Sequence, residues 1–205
     1  YDLFNNKIDR DSLNIYMRHN YIPCPRSIYK DIYKLEPGAL LSLDLSATNS
    51  GGTSLNKEIW WSLNESTSFG KENLLMDEEQ NLKSLEKSLL DSIRLQSIAD
   101  VPLGAFLSGG IDSSLIVALM QSISNVKINT FSIGFKEDSY NEASYAKEVA
   151  KHLNTNHKEL YLSHEDALAL VPKLPKMYDE PFADSSQIPT HLISLMAKEH
   201  VTVVL

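Results

Sequence analysis

The sequence predicts an α/β protein in which a doubly wound parallel sheet, residues 71–205, follows the end of a β-rich region, residues 1–70. Two observations carry this. From Met76 onward, short apolar runs alternate with segments of helical periodicity, the pattern of parallel strands joined by crossover helices. Before that point the chain mixes short alternating stretches with turn signals: "IPCP" around Cys24, "LEPGALLSLDL" around Gly38, and "SATNSGGTS" from Ser46 to Ser54. The last reads as a loop or linker, because clustered Ser, Thr, Asn and Gly build no core. A hairpin-like end of the β-rich region is expected there.

In the second region the elements follow in order. Asp77 and Gln80 have the spacing of a capping box, and Leu82, Leu85, Leu89, Ile93 and Gln96 then share one helical side. Next come a strand at about Val101 to Leu107, a helix from Ser113 to Ser124, a strand from Ile128 to Phe135, a helix from Glu142 to Leu153 and a strand from Lys158 to Leu162. In the second of these helices Ala146, Val149, Ala150 and Leu153 recur at i, i+3, i+4 and i+7. A weaker helix is broken at Pro172 and Pro175; a loop leads to a helix from Thr190 to Glu199 and to the terminal strand "VTVVL". There is no internal repeat and no coiled-coil pattern.

Composition narrows the function classes. The formal net charge of −8 opposes phosphate backbones, so nucleic acid is not expected as a partner. Residues 1–70 contribute an excess of −1 and residues 71–205 an excess of −7, so an anionic ligand of the second region must be held by local groups. Cys24 is the single cysteine, which excludes an intramolecular disulfide and fits a reducing, cytoplasmic location. No apolar stretch reaches the roughly 18 residues of a membrane span. A start at Tyr1 and a stop inside an apolar run read as an excerpt of a longer protein.

The chemistry concentrates in "VPLGAFLSGGIDSSLIVALMQ", Val101 to Gln121, where two of only 8 glycines adjoin between a strand-like and a helix-like run. In an open parallel sheet, ligands collect beyond the carboxyl ends of the strands. "SGGIDSS" occupies such a place. Gly109 and Gly110 let backbone N–H groups approach a ligand, forming an anion nest at a helix N-terminus, and Ser108, Ser113 and Ser114 add hydroxyls. The motif is not a common P-loop, since no lysine lies between Arg94 and Lys127, and it lacks the spacing of GxGxxG or of the nucleophile elbow GxSxG. A carboxylate at Asp112 repels phosphate unless a cation bridges them, which points to Mg²⁺. The plain alternative is a strand-to-helix turn in which Asp112 caps the helix. Of the 6 histidines, His152 and His157 come nearest to a pair, but without metal-site spacing; all are taken as structural or surface residues.

"SGGIDSS" resembles the pyrophosphate loop of N-type ATP pyrophosphatases. Together with "TFSIGF", "NEASYAKEVAKHL", "YDEPFADSSQIPT", "YIPCPRSIYKDIYKLEPGALL" and "WW" at Trp60, it is similar to the glutamine-hydrolysing asparagine synthetases over nearly the whole chain. The resemblance implies an adenine nucleotide alpha hydrolase-like synthetase domain in 71–205, preceded in 1–70 by the C-terminal end of an N-terminal nucleophile glutaminase domain. It implies that Ser108, Gly109, Gly110, Ser113 and Ser114 hold the β and γ phosphates of ATP and that Asp112 helps bind Mg²⁺. Leu107, Ile133 and Gly134 match positions near the nucleoside, with plain sheet core as the alternative. The implied reaction is adenylation of a substrate carboxylate with release of pyrophosphate, then displacement of AMP by ammonia drawn from glutamine. A homodimer is left open.

The sequence departs from that pattern in three places. Cys24, between Pro23 and Pro25, does not match the family's N-terminal nucleophile and reads as a small packed side chain. The acidic loop SGxGxDE is expected directly after "VTVVL", so the excerpt alone is expected to be inactive. The family's substrate-gripping arginine has no counterpart after Tyr178, since no arginine lies between Arg94 and Leu205. Asp179, Glu180, Asp184, Ser185 and Ser186 stand there as candidates for the acceptor pocket, with a solvated acidic loop as the alternative. Aspartate is the expected acceptor, and a relative acting on a sugar acid or cell-surface precursor, or a non-catalytic ATP-binding module, stays open. No catalytic acid or base is assigned.

Overall fold

The computed structural model describes residues 4, 6–44, 54–74, 77–135 and 143–205. The linker expected at Ser46 to Ser54 and the helix start expected at Glu142 fall outside or at the edge of these. The chain divides into two compact units, Tyr1–Leu75 with Pro175–Asp184, and Met76–Leu174 with Ser185–Leu205. Residues Pro175–Asp184, placed by the sequence in the second region, therefore cluster with the first unit.

The first unit opens with α1, Arg10–His19, which the sequence reading did not anticipate. Asp9 caps it by accepting from the Asp11 N–H, and Asn20 ends it in the left-handed conformation at φ 66°. The expected hairpin is present as β1, Ala39–Asp44, paired antiparallel with β2, Ser54–Ile59. Its base is closed by the Trp60 N–H donating to the Gly38 carbonyl at 2.9 Å. A second unanticipated helix, α2, Leu63–Glu72, is capped by Ser62 and buries none of its residues. Ser12, Ile22 and Ile28, each 5% exposed or less, form the packed interior of this unit.

The second unit begins with α3, Glu78–Gln96. Asp77 accepts from the Gln80 N–H at 2.9 Å, one half of the expected box; the structure records a reciprocal box at Ser163 and Asp166 instead. Burial follows the predicted side only in the second half of α3: Ile93 is 4% exposed, whereas Leu82 and Leu85 are 61% and 55% exposed. Four parallel strands follow: β3, Leu103–Phe106; β4, Asn129–Phe135; β5, Asn156–Leu162; and β6, Val203–Val204, in the spatial order β5-β4-β3-β6. The connections are α4, Ile111–Ile123, and α5, Ala143–Leu153. After β5 come α6, His164–Leu170, a 3₁₀ turn at Val171–Lys173, α7, Leu174–Met177, and α8, Gln187–Lys198. Pro172 and Pro175 fall in the 3₁₀ turn and in α7, where the predicted weak helix breaks.

The sheet is covered on both faces, as the sequence predicts. On one face Ala105, Leu107 and Ile128 pack with Ile93 of α3, Val117 and Met120 of α4, and Ala146 and Ala150 of α5. On the other, Phe131 packs with Ala197 of α8 and with Val201. The alternation along β4 explains this: Thr130 and Ser132 point one way and Phe131 the other, all three at most 2% exposed. Strand order reverses beside β3, because the chain runs outward through β4 and β5 and returns as β6 on the opposite side of β3. The crevice at the carboxyl end of β3 is thus a topological switch point, where ligands of such sheets bind.

Candidate functional site

Residues Leu107 to Gly110 join β3 to α4 at that switch point. The Leu107 N–H donates to the Phe131 carbonyl at 2.8 Å, continuing the ladder one residue past β3, and its side chain is 1% exposed in the core. At the first candidate nucleoside position the side chain therefore offers a ligand no surface. Ile133 is half-buried and Gly134 buried at the carboxyl end of the neighbouring β4.

Gly109 has φ +81°, a conformation costly for any residue with a Cβ. It is also crowded: a Cβ there would lie 2.6 Å from the Ala146 backbone nitrogen and 2.8 Å from the Tyr145 Cβ. The loop thus rests on the first turn of α5, and this second constraint was not visible in the motif. The hydroxyls knit the loop to its helix. Ser113 Oγ accepts from the Ser108 N–H at 3.2 Å, lies 2.9 Å from Ser108 Oγ, and donates to the Gly110 carbonyl at 3.3 Å. Gly110 is the N-cap of α4, with no side-chain cap, in contrast to Asp9, Ser62, Asp77 and Ser163 at other helices. An uncapped helix N-terminus beneath a glycine turn has the form that anion sites take.

Asp112 is exposed in the first turn of α4, so its carboxylate is not consumed by the core. Ser114 Oγ is buried without a hydrogen-bond partner, an orphan polar atom of the kind that marks an incomplete site. The structure thus brings Ser108, Gly109, Gly110, Asp112, Ser113 and Ser114 together on one loop and helix start. Among the described residues no group of three or more His, Cys, Asp or Glu gathers to hold a metal. A divalent ion here would have Asp112 as its protein carboxylate and complete its shell with phosphate oxygens and water, a set that suits Mg²⁺.

The acceptor candidates are divided between the units. Asp179, Glu180 and Asp184 lie in the first, Ser185 and Ser186 in the second. Asp179, Asp184, Ser185 and Ser186 are exposed. Glu180 is engaged on both oxygens: Lys34 Nζ donates to Oε1, and the Ile28 N–H donates to Oε2 at 3.1 Å.

Sequence reading also missed a polar network on the α5 face of the sheet. His157 bridges two hydroxyls, Thr130 Oγ1 at 2.9 Å from Nδ1 and Ser132 Oγ at 3.2 Å from Nε2. Burial holds His157 below the ordinary imidazole range, with Lys147 adding to this and Glu159 opposing it. Burial would push Glu159 up, but the Tyr161 hydroxyl and the Lys147 ammonium outweigh it and hold the carboxyl low. The signal available was the register itself: Thr130 and His157 are adjacent once β4 and β5 pair. His157 is thus structural, as expected. Cys24 is half-buried, with Sγ 3.5 Å from the Lys34 carbonyl, consistent with a packed side chain. A cavity of about 430 Å³ lined by Leu103, Met120, Ile123, Lys127 and Ile128 lies at the amino ends of the strands, away from the loop. Among the described residues no helix is long and apolar enough to cross a membrane.

The Asparagine synthase family matches residues 84–205, which contain the loop, α4 and the whole sheet. A Methanocaldococcus jannaschii protein designated an asparagine synthetase (glutamine-hydrolyzing) is 38% identical over 199 residues, 97% of this chain and 36% of its own length. Asparagine synthetase (glutamine-hydrolyzing) 1 of Bacillus subtilis is 30% identical over 97% of this chain and 29% of its own length. Carboxyethyl-arginine beta-lactam-synthase of Streptomyces clavuligerus is 28% identical over 69% of this chain and 25% of its own length. The chain spans about a third of the length of the curated relatives it matches most fully. With the family match covering more than half of its residues, the chain belongs to the asparagine synthase family.

Proposed function

We propose that the intact protein is an ATP-dependent amide synthetase that takes its nitrogen from glutamine or ammonia and makes asparagine from aspartate, with residues 1–70 the C-terminal part of its glutaminase domain and 71–205 the start of its ATP-binding domain. One observation carries this reading: an uncapped helix N-terminus beneath the Ser108–Gly110 turn, at the switch point of a doubly wound sheet. A carboxylate is a poor acyl donor. Its oxygen attacks the α phosphorus of ATP, the bond to the β phosphate breaks, and pyrophosphate leaves with the electron pair; ammonia then attacks the acyl carbon, AMP departs and the nitrogen loses a proton.

The residues described above serve the first half of that sequence. The unpaired N–H groups of the α4 first turn and the helix dipole face the leaving pyrophosphate, and hydrogen bonds fixed before the reaction add no reorganisation cost at the moment of bond breaking. Ser108 and Ser113 hold the turn in shape, and Ser114 has a hydroxyl still to satisfy. Bound Mg²⁺, held by Asp112, would offset charge on the departing phosphates. Asp179, Asp184, Ser185 and Ser186 are the acceptor candidates. The protein acts in the cytoplasm on small molecules.

A second reading, adenylation of a different carboxylate such as a sugar acid or cell-surface precursor, is favoured by the want of an arginine between Arg94 and Leu205. The test uses the full-length protein with ATP, Mg²⁺, ammonia and aspartate, with phosphorus products followed by ³¹P NMR. AMP and pyrophosphate that form only with aspartate support the first reading. The same products with another carboxylate support the second, ADP and phosphate refute both, and a melting temperature raised by ATP and Mg²⁺ without turnover identifies a binding module.

A further inference from the structure

The segment Pro175–Asp184 follows and precedes elements of the second unit along the chain, yet it packs with the first. Two attachments hold it there. The Ala183 N–H donates to the Asn20 carbonyl at 3.0 Å, just beyond α1. Glu180 accepts from the Ile28 N–H and from Lys34 Nζ, and the same ammonium donates to the Ile22 carbonyl at 2.6 Å. The carboxylate and the ammonium are each largely enclosed, at 21% and 36% exposure. Both Glu180 oxygens are therefore already engaged within the first unit, although the residue sits among candidates for acceptor binding.

We infer that Glu180 is a positioning residue, which ties the Tyr178–Asp184 segment to Lys34 and Ile28 so that the first unit sets the placement of the acceptor-binding side chains. This rests on the acceptor role proposed above for Asp179 and Asp184. In this role Glu180 acts by holding the segment rather than by touching substrate. The ion pair lies within the first unit and joins residues 146 positions apart in the chain.

The test compares Glu180→Gln, Lys34→Met and the double variant in the full-length protein, with ammonia as nitrogen source and pyrophosphate as readout. KM for aspartate should rise roughly tenfold in both single variants, within the loss of up to about 100-fold that a misplacement of about 1 Å can bring. KM for ATP should stay within about twofold, and the double variant should be no worse than either single, because both remove one interaction. An unchanged KM for aspartate with a lower melting temperature would show the pair to be merely structural and overturn the inference. So would a loss of kcat in Glu180→Gln that Lys34→Met does not share, since that marks direct contact with the acceptor. If wild type turns over a different carboxylate, the aspartate reading fails while the same KM comparison, made with that carboxylate, still decides the role of Glu180. If no carboxylate turns over, the acceptor reading fails and the inference that rests on it is overturned with it.

Discussion

Substituting Gly109 by alanine tests the loop at its most constrained point. Two costs add. A non-glycine residue at φ +81° costs roughly 1–2 kcal/mol. The added methyl would then sit 2.6 Å from the Ala146 nitrogen and 2.9 Å from the Tyr145 carbonyl carbon, both backbone atoms that no rotamer change can move aside. Overpacking of this kind costs typically about 1–3 kcal/mol. The loop can relieve the second cost by lifting away from α5, and in doing so it spoils the alignment of the Ser108–Gly110 turn with the N-terminus of α4. Gly109→Ala should therefore lose about 2–5 kcal/mol of stability, or a smaller part of it together with most ATP affinity. Gly110→Ala is the matched control. Its φ of −72° suits any residue and its nearest obstacle is the flexible Ser108 Oγ at 3.3 Å, so it should cost at most about 1 kcal/mol. Chemical denaturation and isothermal titration with ATP and Mg²⁺, run on both variants, make the comparison. Wild-type stability and wild-type ATP binding in Gly109→Ala would refute the argument that α5 supports the loop.

Asp112→Asn should leave the fold in place, with a stability change of about 0.3–1 kcal/mol from the lost charge at a helix N-terminus, while the Mg²⁺ concentration needed for half-maximal turnover rises and kcat falls about 100-fold; circular dichroism and a Mg²⁺ titration read the two effects. His157 makes stability fall on acidification. Its folded-state pKa lies below the unfolded value near 6.5, so the unfolded chain binds the extra proton first, and stability present above pH 6.5 is lost as pH drops through the lower folded value. Denaturant melts between about pH 7.5 and 5.5 should show this slope, and His157→Gln should flatten it.

The legible parts of the molecule were those whose signal is local. Strand and helix alternation after Met76 fixed the class of the fold, and β3, α4, β4 and β5 lie within a few residues of their expected bounds. The "SGGIDSS" turn was readable because glycine and hydroxyl residues at a strand-to-helix junction have a direct physical use. Helices α1 and α2 escaped, and they are short and bury little: α1 buries only Ser12 and leaves Met17 at 74% exposure, and α2 buries nothing. Side-chain caps at Asp9 and Ser62 mark where they begin. Leu82 and Leu85 show the opposite error, since helical spacing predicted a buried side where the structure leaves it open. At the site, the contact of Gly109 with Tyr145 and Ala146, and the engagement of Glu180 by Lys34, are tertiary facts to which no spacing rule points.

The position of β6 bears on how the crevice is made. β3, β4 and β5 pair through crossovers of ordinary length, so the loop, α4 and the first turn of α5 belong to a βαβαβ piece whose contacts are mostly near in sequence. β6 pairs with β3 across about 100 residues, Leu103 with Val203 and Gly104 with Val204, and the entropy of closing so long a loop delays that pairing. The Ser108–Gly110 turn is thus expected to form early and β6 to join the sheet late. Pulse-labelled hydrogen exchange during refolding should show protection of β3 to β5 ahead of β6, so that the Ser108–Gly110 turn and the start of α4 take shape before the crevice beside them has its second wall.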